Sequence, residues 1–153
     1  MKVLPEACNG SYDSIAENAI ALPQGIIGFA EYRRAELLYI PDHLPFLWMK
    51  LSGPTGTVNF VVIEPGGIIP DYELEVFEND AEYLELSDPS EAMVLNIVTL
   101  RQQSPVDATV NLIGPILVNR RTRIGRQLVI ANYSKYSARH LLVQKETLAC
   151  ASA

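Results

Sequence analysis
Along this chain, short apolar runs alternate with clusters of Gly, Pro, Asn and Asp, the rhythm of strands and turns. Ala19 to Leu22 reads as a strand ended by Pro23, and Gln24 to Phe29 carries two glycines suited to a turn needing positive φ. Ala30 to Glu36 holds good helix formers but is so short that one helical turn is the most it predicts. Leu37 to Ile40 is the next strand, stopped by Pro41, and Asp42-His43-Leu44-Pro45 makes a loop. Phe46 to Leu51 and Thr57 to Ile63 flank the turn Ser52 to Gly56 and predict a hairpin. From Asp71 to Phe77 the pattern alternates: Tyr72, Leu74 and Val76 point one way, Glu73 and Glu75 the other, as in a half-buried strand. Asn79 to Leu86 predicts a short helix with Asn79 and Glu82 as a capping box, Asp80 at its positive end, and a stop near Asp88-Pro89. Met93 to Leu100 is apolar apart from Asn96 and Thr99, so both of its faces should be buried.

The densest pattern runs from Ala108 to Leu142. Val110 to Val118 is interrupted by Asn111 and by Gly114-Pro115, which predicts two short collinear strands or one bulged strand. A polar loop, Asn119 to Arg123, and Gly125 lead to Gln127–Ala131, expected as the returning strand of a second hairpin. Met1 to Asn18 is weakly patterned, with Asn9-Gly10 as a turn signal and an opening that is either frayed or an edge strand. Seven or more short strands in 153 residues imply one mostly β domain, compact, antiparallel and β-barrel-like, with one or two short helices.

Several of these segments resemble the flagellar assembly factor FliW family, in matching order over about residues 15 to 142. They are Asn111 to Asn119 (NLIGPILVN), Gly125-x-Gln127, the tyrosines Tyr133 and Tyr136, and Arg139-His140. Upstream, Gly25-Ile26-Ile27-Gly28-Phe29 resembles the family's Gly-Leu-Pro-Gly-Phe, with Ile27 where proline is usual. Asn59 to Pro65 and Pro70-Asp71-Tyr72 match as well. The resemblance implies a cytoplasmic protein that binds flagellin in a chaperone-like way. It also implies binding of the translational repressor CsrA, which lifts the block on flagellin messenger RNA, with the two partners competing. The alternatives are an adaptor retaining one of these partners, or an RNA-binding β-barrel that uses an arginine-rich hairpin.

Charge narrows the partner. The formal net charge is −6, and ten of the eighteen acids lie between Glu64 and Glu91, where no Lys or Arg occurs. This block is either a solvated face or a surface that attracts a basic protein and repels RNA, and Asp71, Glu73, Glu75 and Glu78 are its candidate contacts. The opposite pole is the loop with Arg120, Arg121, Arg123 and Arg126. It is either a charged hairpin tip that blocks edge pairing or a second protein contact. It lacks the interleaved aromatics of an RNA-binding patch, and no direct nucleic-acid binding is expected.

Candidate chemistry adds little. His43 sits in a proline-flanked loop and His140 in the tail, and no Cys or His spacing resembles a metal site. No nucleophile elbow or phosphate-binding loop is present, so neither an enzyme nor a cofactor is expected. Cys8 and Cys150 read as two thiols in a reducing cytosol, with a disulfide between the ends as the alternative. No stretch has the ~20 apolar residues of a membrane helix and no signal peptide is evident. A soluble, cytoplasmic monomer is the expectation.

Overall fold
A computed structural model describes residues 1–6, 18–101 and 107–142. Eleven strands and one α-helix follow in chain order among them. They are β1 (Lys2–Val3), β2 (Ala19–Ala21), β3 (Arg34–Leu38), β4 (Leu47–Gly53), β5 (Gly56–Ile63) and β6 (Leu74–Glu75), then α1 (Glu78–Tyr83). After the helix come β7 (Ala92–Arg101), β8 (Asp107–Val110), β9 (Ile116–Asn119), β10 (Gly125–Gln127) and β11 (His140–Leu142). The main sheet runs β10-β9-β7-β5-β4-β3-β2, with β8 and β11 branching from β7 and a separate β1-β6 pair beside it. All of these pairings are antiparallel.

Strand β7 is the axis of the sheet. Its first half pairs with β9 from Ala92↔Asn119 to Leu95↔Ile116, and its second half with β8 from Val98↔Val110 to Arg101↔Asp107. The apolar run broken at Gly114-Pro115 is therefore two strands against one partner, with residues 111–115 bulging between them. Asn111 holds the bulge: its Oδ1 accepts from the amides of Ile113 (3.1 Å) and Gly114 (2.9 Å). Burial on both sides explains why β7 and β9 read as nearly continuous apolar sequence. Met93, Leu95, Ile116 and Val118 enter a core with Leu37, Met49 and Leu51, whereas Val94, Val98 and Leu117 enter a second core under β6 and α1.

The two edges of the curled sheet meet at Arg123. This residue has φ 60, its carbonyl accepts from Ala21 N (2.9 Å), and its Nε donates to Ala19 O (3.3 Å). One residue thus covers the outward edge of β2 with its backbone and its side chain.

Four expectations need correction. Ala30 to Glu36 forms no helical turn, because β3 starts at Arg34 and is paired on both sides, by β2 and β4. Tertiary pairing overrides a weak local propensity here. The helix starts at Glu78 with Phe77 as its N-cap and no side-chain cap, so Asn79 and Glu82 form no capping box. That motif appears instead at the 3-10 turn Pro89–Glu91, between Asp88 and Glu91. The returning strand spans Gly125–Gln127, earlier than expected. Beyond it Leu128 N still reaches Pro115 O (3.0 Å) and Ile130 N reaches Ile113 O (3.1 Å). Finally, β7 is buried on both faces only through Val98; Thr99, Leu100 and Arg101 are exposed. The Asn9-Gly10 turn signal and both cysteines lie outside the described residues.

Candidate docking surfaces
The acidic block divides into two parts with different surroundings. Its strand part is β6 with its flanks, where Tyr72, Leu74 and Val76 are buried, Glu73 and Glu75 are half-buried, and Asp71, Phe77 and Glu78 are exposed. The alternation read from the sequence is present, although only Leu74–Glu75 is regular strand. On one side β1 pairs with it, and Val76 N donates to Met1 O (2.7 Å). On the other side residues 131–136 are laced along it. Ala131 N donates to Glu75 O (2.7 Å), Glu75 N to Asn132 Oδ1 (2.9 Å), Asn132 Nδ2 to Glu73 O (2.8 Å) and Glu73 N to Tyr136 Oη (2.9 Å). With its backbone satisfied from both sides, the strand presents carboxylates and no open edge. Glu73 pairs with Lys2 at 3.2 Å, while no ion pair among the described residues reaches Asp71, Glu75 or Glu78.

The helix part does the opposite. Buried Asp80 pairs with Arg126 at 3.4 Å, and Arg126 also lies 4.5 Å over the Tyr83 ring. Glu91 pairs with Arg121 at 3.5 Å while accepting from Ser87 N (2.8 Å), Ser87 Oγ (2.7 Å) and Asp88 N (3.0 Å). Those hydrogen bonds, Ser87's first, hold the Glu91 carboxyl at about 2. Arg120 pairs with Glu6 at 3.7 Å. The charged poles of the sequence are therefore in contact. Asn119, wholly buried, joins them: its Nδ2 donates to Leu84 O (2.7 Å), and its Oδ1 accepts from the amides of Arg121 (2.8 Å) and Thr122 (3.2 Å). The sequence-predicted residues thus separate: Asp71, Glu73 and Glu75 alternate along β6 and its flank and Glu78 opens α1 after them, whereas Arg120, Arg121 and Arg123 serve the docking and closure of the β9-β10 hairpin.

Reasoning from sequence missed a third feature, an open groove at the 3-10 turn Pro41–His43, which precedes the cis Leu44-Pro45 bond. Leu44, Phe46, Val61 and Leu100 wall it, with Trp48, His43 and Asp42 at its polar side. Trp48 Nε1 donates to His43 Nδ1 at 3.1 Å. The signal was in the sequence: a lone tryptophan on an outward strand position beside a proline-flanked loop. His140 lies on β11, away from this lining. Among the described residues no group of three or more His, Cys, Asp or Glu could hold a metal ion, and no helix is long and apolar enough to cross a membrane.

Comparison with known proteins places this geometry. The family model described as FliW protein matches residues 5–142. The chain is similar to the flagellar assembly factor FliW of Natranaerobius thermophilus, 33% identical over 133 residues that cover 87% of each protein. It is 38% identical over 133 residues to that of Geotalea uraniireducens, covering 86% of this chain and 78% of the relative.

The chain belongs to the FliW family.

A crystal structure described as that of the flagellar assembly factor FliW agrees with the fold, with a TM-score of 0.71 at 29% identity, over 84% of this chain and 88% of that one. The family motifs resolve into contacts here. Gln127 of Gly-x-Gln accepts from Ile27 N (2.9 Å) through Oε1 and donates from Nε2 to Gly114 O (3.1 Å), so it ties three motifs together. A proline at position 27 would lack the first of these donors. Tyr136 packs edge-on against Tyr72 at 5.0 Å, and Asn96 Nδ2 reaches the Tyr72 hydroxyl at 3.1 Å.

Proposed function
We propose that this flagellar assembly factor binds cytoplasmic flagellin as a chaperone-like partner and binds CsrA, relieving repression of flagellin translation. The observation that best supports the CsrA arm is the run of exposed and half-buried acids Asp71, Glu73, Glu75 and Glu78, set against a basic hairpin whose Arg121 and Arg126 are already paired with carboxylates. A surface of that sign favours a basic protein and disfavours RNA beside it, because RNA binding rests largely on phosphate contacts. The same ion pairs speak against the arginine hairpin as an RNA site. Competition needs no conformational change. Flagellin at ten times its dissociation constant weakens apparent CsrA binding about elevenfold, or ~1.4 kcal/mol.

Calorimetric titration with flagellin, with CsrA and with both tests the reading. Binding to each with mutual exclusion is expected; binding to neither overturns it. Reversal of Glu73, Glu75 and Glu78 to lysine should weaken displacement of RNA from CsrA more than it weakens CsrA binding. Equal loss of both, or loss of neither, would remove the electrostatic part.

A further inference from the structure
Outside the acidic edge, the groove at Trp48 is an apolar surface with a single kind of charge. Its volume is roughly 380 Å3, and among the described residues the one carboxylate in its lining is that of exposed Asp42. Among the described residues neither Lys nor Arg lines it. The Trp48 indole has already given its one N–H to His43 Nδ1, so the aromatic ring is what the tryptophan has left to offer. Leu100, 40% exposed, continues the apolar wall on β7, and Val61 faces Trp48 directly across the β4-β5 pair.

We propose that this groove takes a lysine or arginine side chain, together with a neighbouring aliphatic residue, from a segment of a partner protein. The chemistry selects that occupant. Lys and Arg carry a long aliphatic stem that buries well against Leu44, Phe46, Val61 and Leu100, and a cationic head that needs a carboxylate or a π face. Tryptophan is the strongest π partner for such a head, and Asp42 supplies the counter-charge. An anionic ligand would meet Asp42 with no Lys or Arg among the described lining residues to offset it. The size exceeds a single basic side chain, which is why an aliphatic neighbour belongs to the occupant. The inference rests on the reading of this chain as a protein-binding factor and adds a contact separate from the acidic edge.

Trp48 is the chain's only tryptophan, so its emission reports on the groove alone. The probe is an acetylated, amidated Leu-Arg-Leu tripeptide, titrated into the full chain beside Leu-Gln-Leu and Leu-Glu-Leu peptides. A saturable change in emission with the arginine peptide is expected, at least about tenfold weaker with the glutamine peptide. Asp42→Asn should weaken the arginine peptide by about the same factor without altering the unfolding midpoint, since that side chain is exposed. Leu100→Ser should weaken all three peptides together. Absence of a saturable change would overturn the proposal, as would equal affinity for the arginine and glutamate peptides. Stronger quenching by single-stranded oligouridine would overturn it in favour of base stacking. Emission that varies with protein concentration before any peptide is added would overturn it in favour of a second copy. If the peptide fails while flagellin or CsrA still binds calorimetrically, the groove is removed and the partner reading stands; if the peptide binds while both proteins fail, the reverse holds.

Discussion
Asp71, Glu73 and Glu75 stand outward along a strand, with Glu78 after them at the start of α1, whereas Asp80 and Glu91 each hold an arginine. Both groups come from one uninterrupted acidic stretch of sequence, and their fates differ because of what the chain returns to each. Residues 131–136 come back to the strand part and touch mainly its backbone, leaving the carboxylates outward. The β9-β10 hairpin comes back to the helix part with its cations. Charge counted along a sequence is therefore not charge at a surface; the second visit of the chain decides it.

Asn119 offers the most damaging way to break that contrast. It is wholly buried and joins the helix end to the hairpin through both ends of its amide. Asn119→Ala leaves buried carbonyls and amides without partners, and should cost ~2 to 4 kcal/mol in urea unfolding. It should also release Arg121 and Arg126, visible as faster hydrogen exchange in the hairpin amides. A cost below ~1 kcal/mol would mean the hairpin is held from elsewhere.

Asp80→Asn tests the helix part on a smaller scale. Asp80 is 8% exposed and Arg126 also leans on Tyr83, so the cation loses one of two supports. A loss of ~1 to 2 kcal/mol is expected, larger than for any exposed acid of the strand part. Lys2→Ala, which removes the partner of Glu73, should cost less than ~0.5 kcal/mol. Equal costs would erase the distinction between the two parts.

Glu85 sharpens the comparison from the backbone. It follows the helix at φ 53, with Glu85 N donating to Glu82 O (3.0 Å) and Leu86 N to Ala81 O (2.9 Å), the bonding of a Schellman stop. Glycine adopts that conformation without a Cβ penalty, so Glu85→Gly should stabilise by ~0.5 to 1 kcal/mol in the same unfolding assay. Destabilisation would show that the glutamate side chain contributes more than its backbone strain costs.

These contacts also mark how far the sequence could be read. The β4-β5 hairpin, the alternation at Tyr72, Leu74 and Val76 and the break at Gly114-Pro115 follow from local period and turn chemistry, and all three are present. The start of β3 at Arg34 and the Asp88–Glu91 capping box depended on which neighbours arrive, which no window of sequence contains. For the same reason Glu73 and Glu75 could be placed on one strand face, but the pairing of Arg121 and Arg126 with the block's other half could not. The Trp48 groove was hidden differently: it joins the 41–46 loop to β5 and β7, far apart in the chain.

The smallest effect comes from Glu91, where the helix part holds charge most tightly. Its carboxyl is lowered from its ordinary value to about 2, first by the Ser87 hydroxyl, then by the amides of Ser87 and Asp88, with Arg121 contributing least. Asp88 is lowered as well, by its hydrogen bonds from Ser90. A folded-state pKa below the unfolded one contributes stability that is present above about 4.5 and lost as pH falls toward 2. Acidification through that window should loosen the turn Ser87 to Glu91 before the rest of the fold. A carbon-detected pH titration of Glu91 by NMR should place its midpoint near 2, with the Ser87 amide moving in step. Ser87→Ala should raise that midpoint more than Arg121→Ala, because the hydroxyl is a direct 2.7 Å donor and the guanidinium stands 3.5 Å away on an exposed side chain. The reverse order would mean that ion pairing with Arg121, and not the hydrogen-bonded turn, fixes this carboxylate, leaving Asn119 as the neutral tie between the helix part and the hairpin.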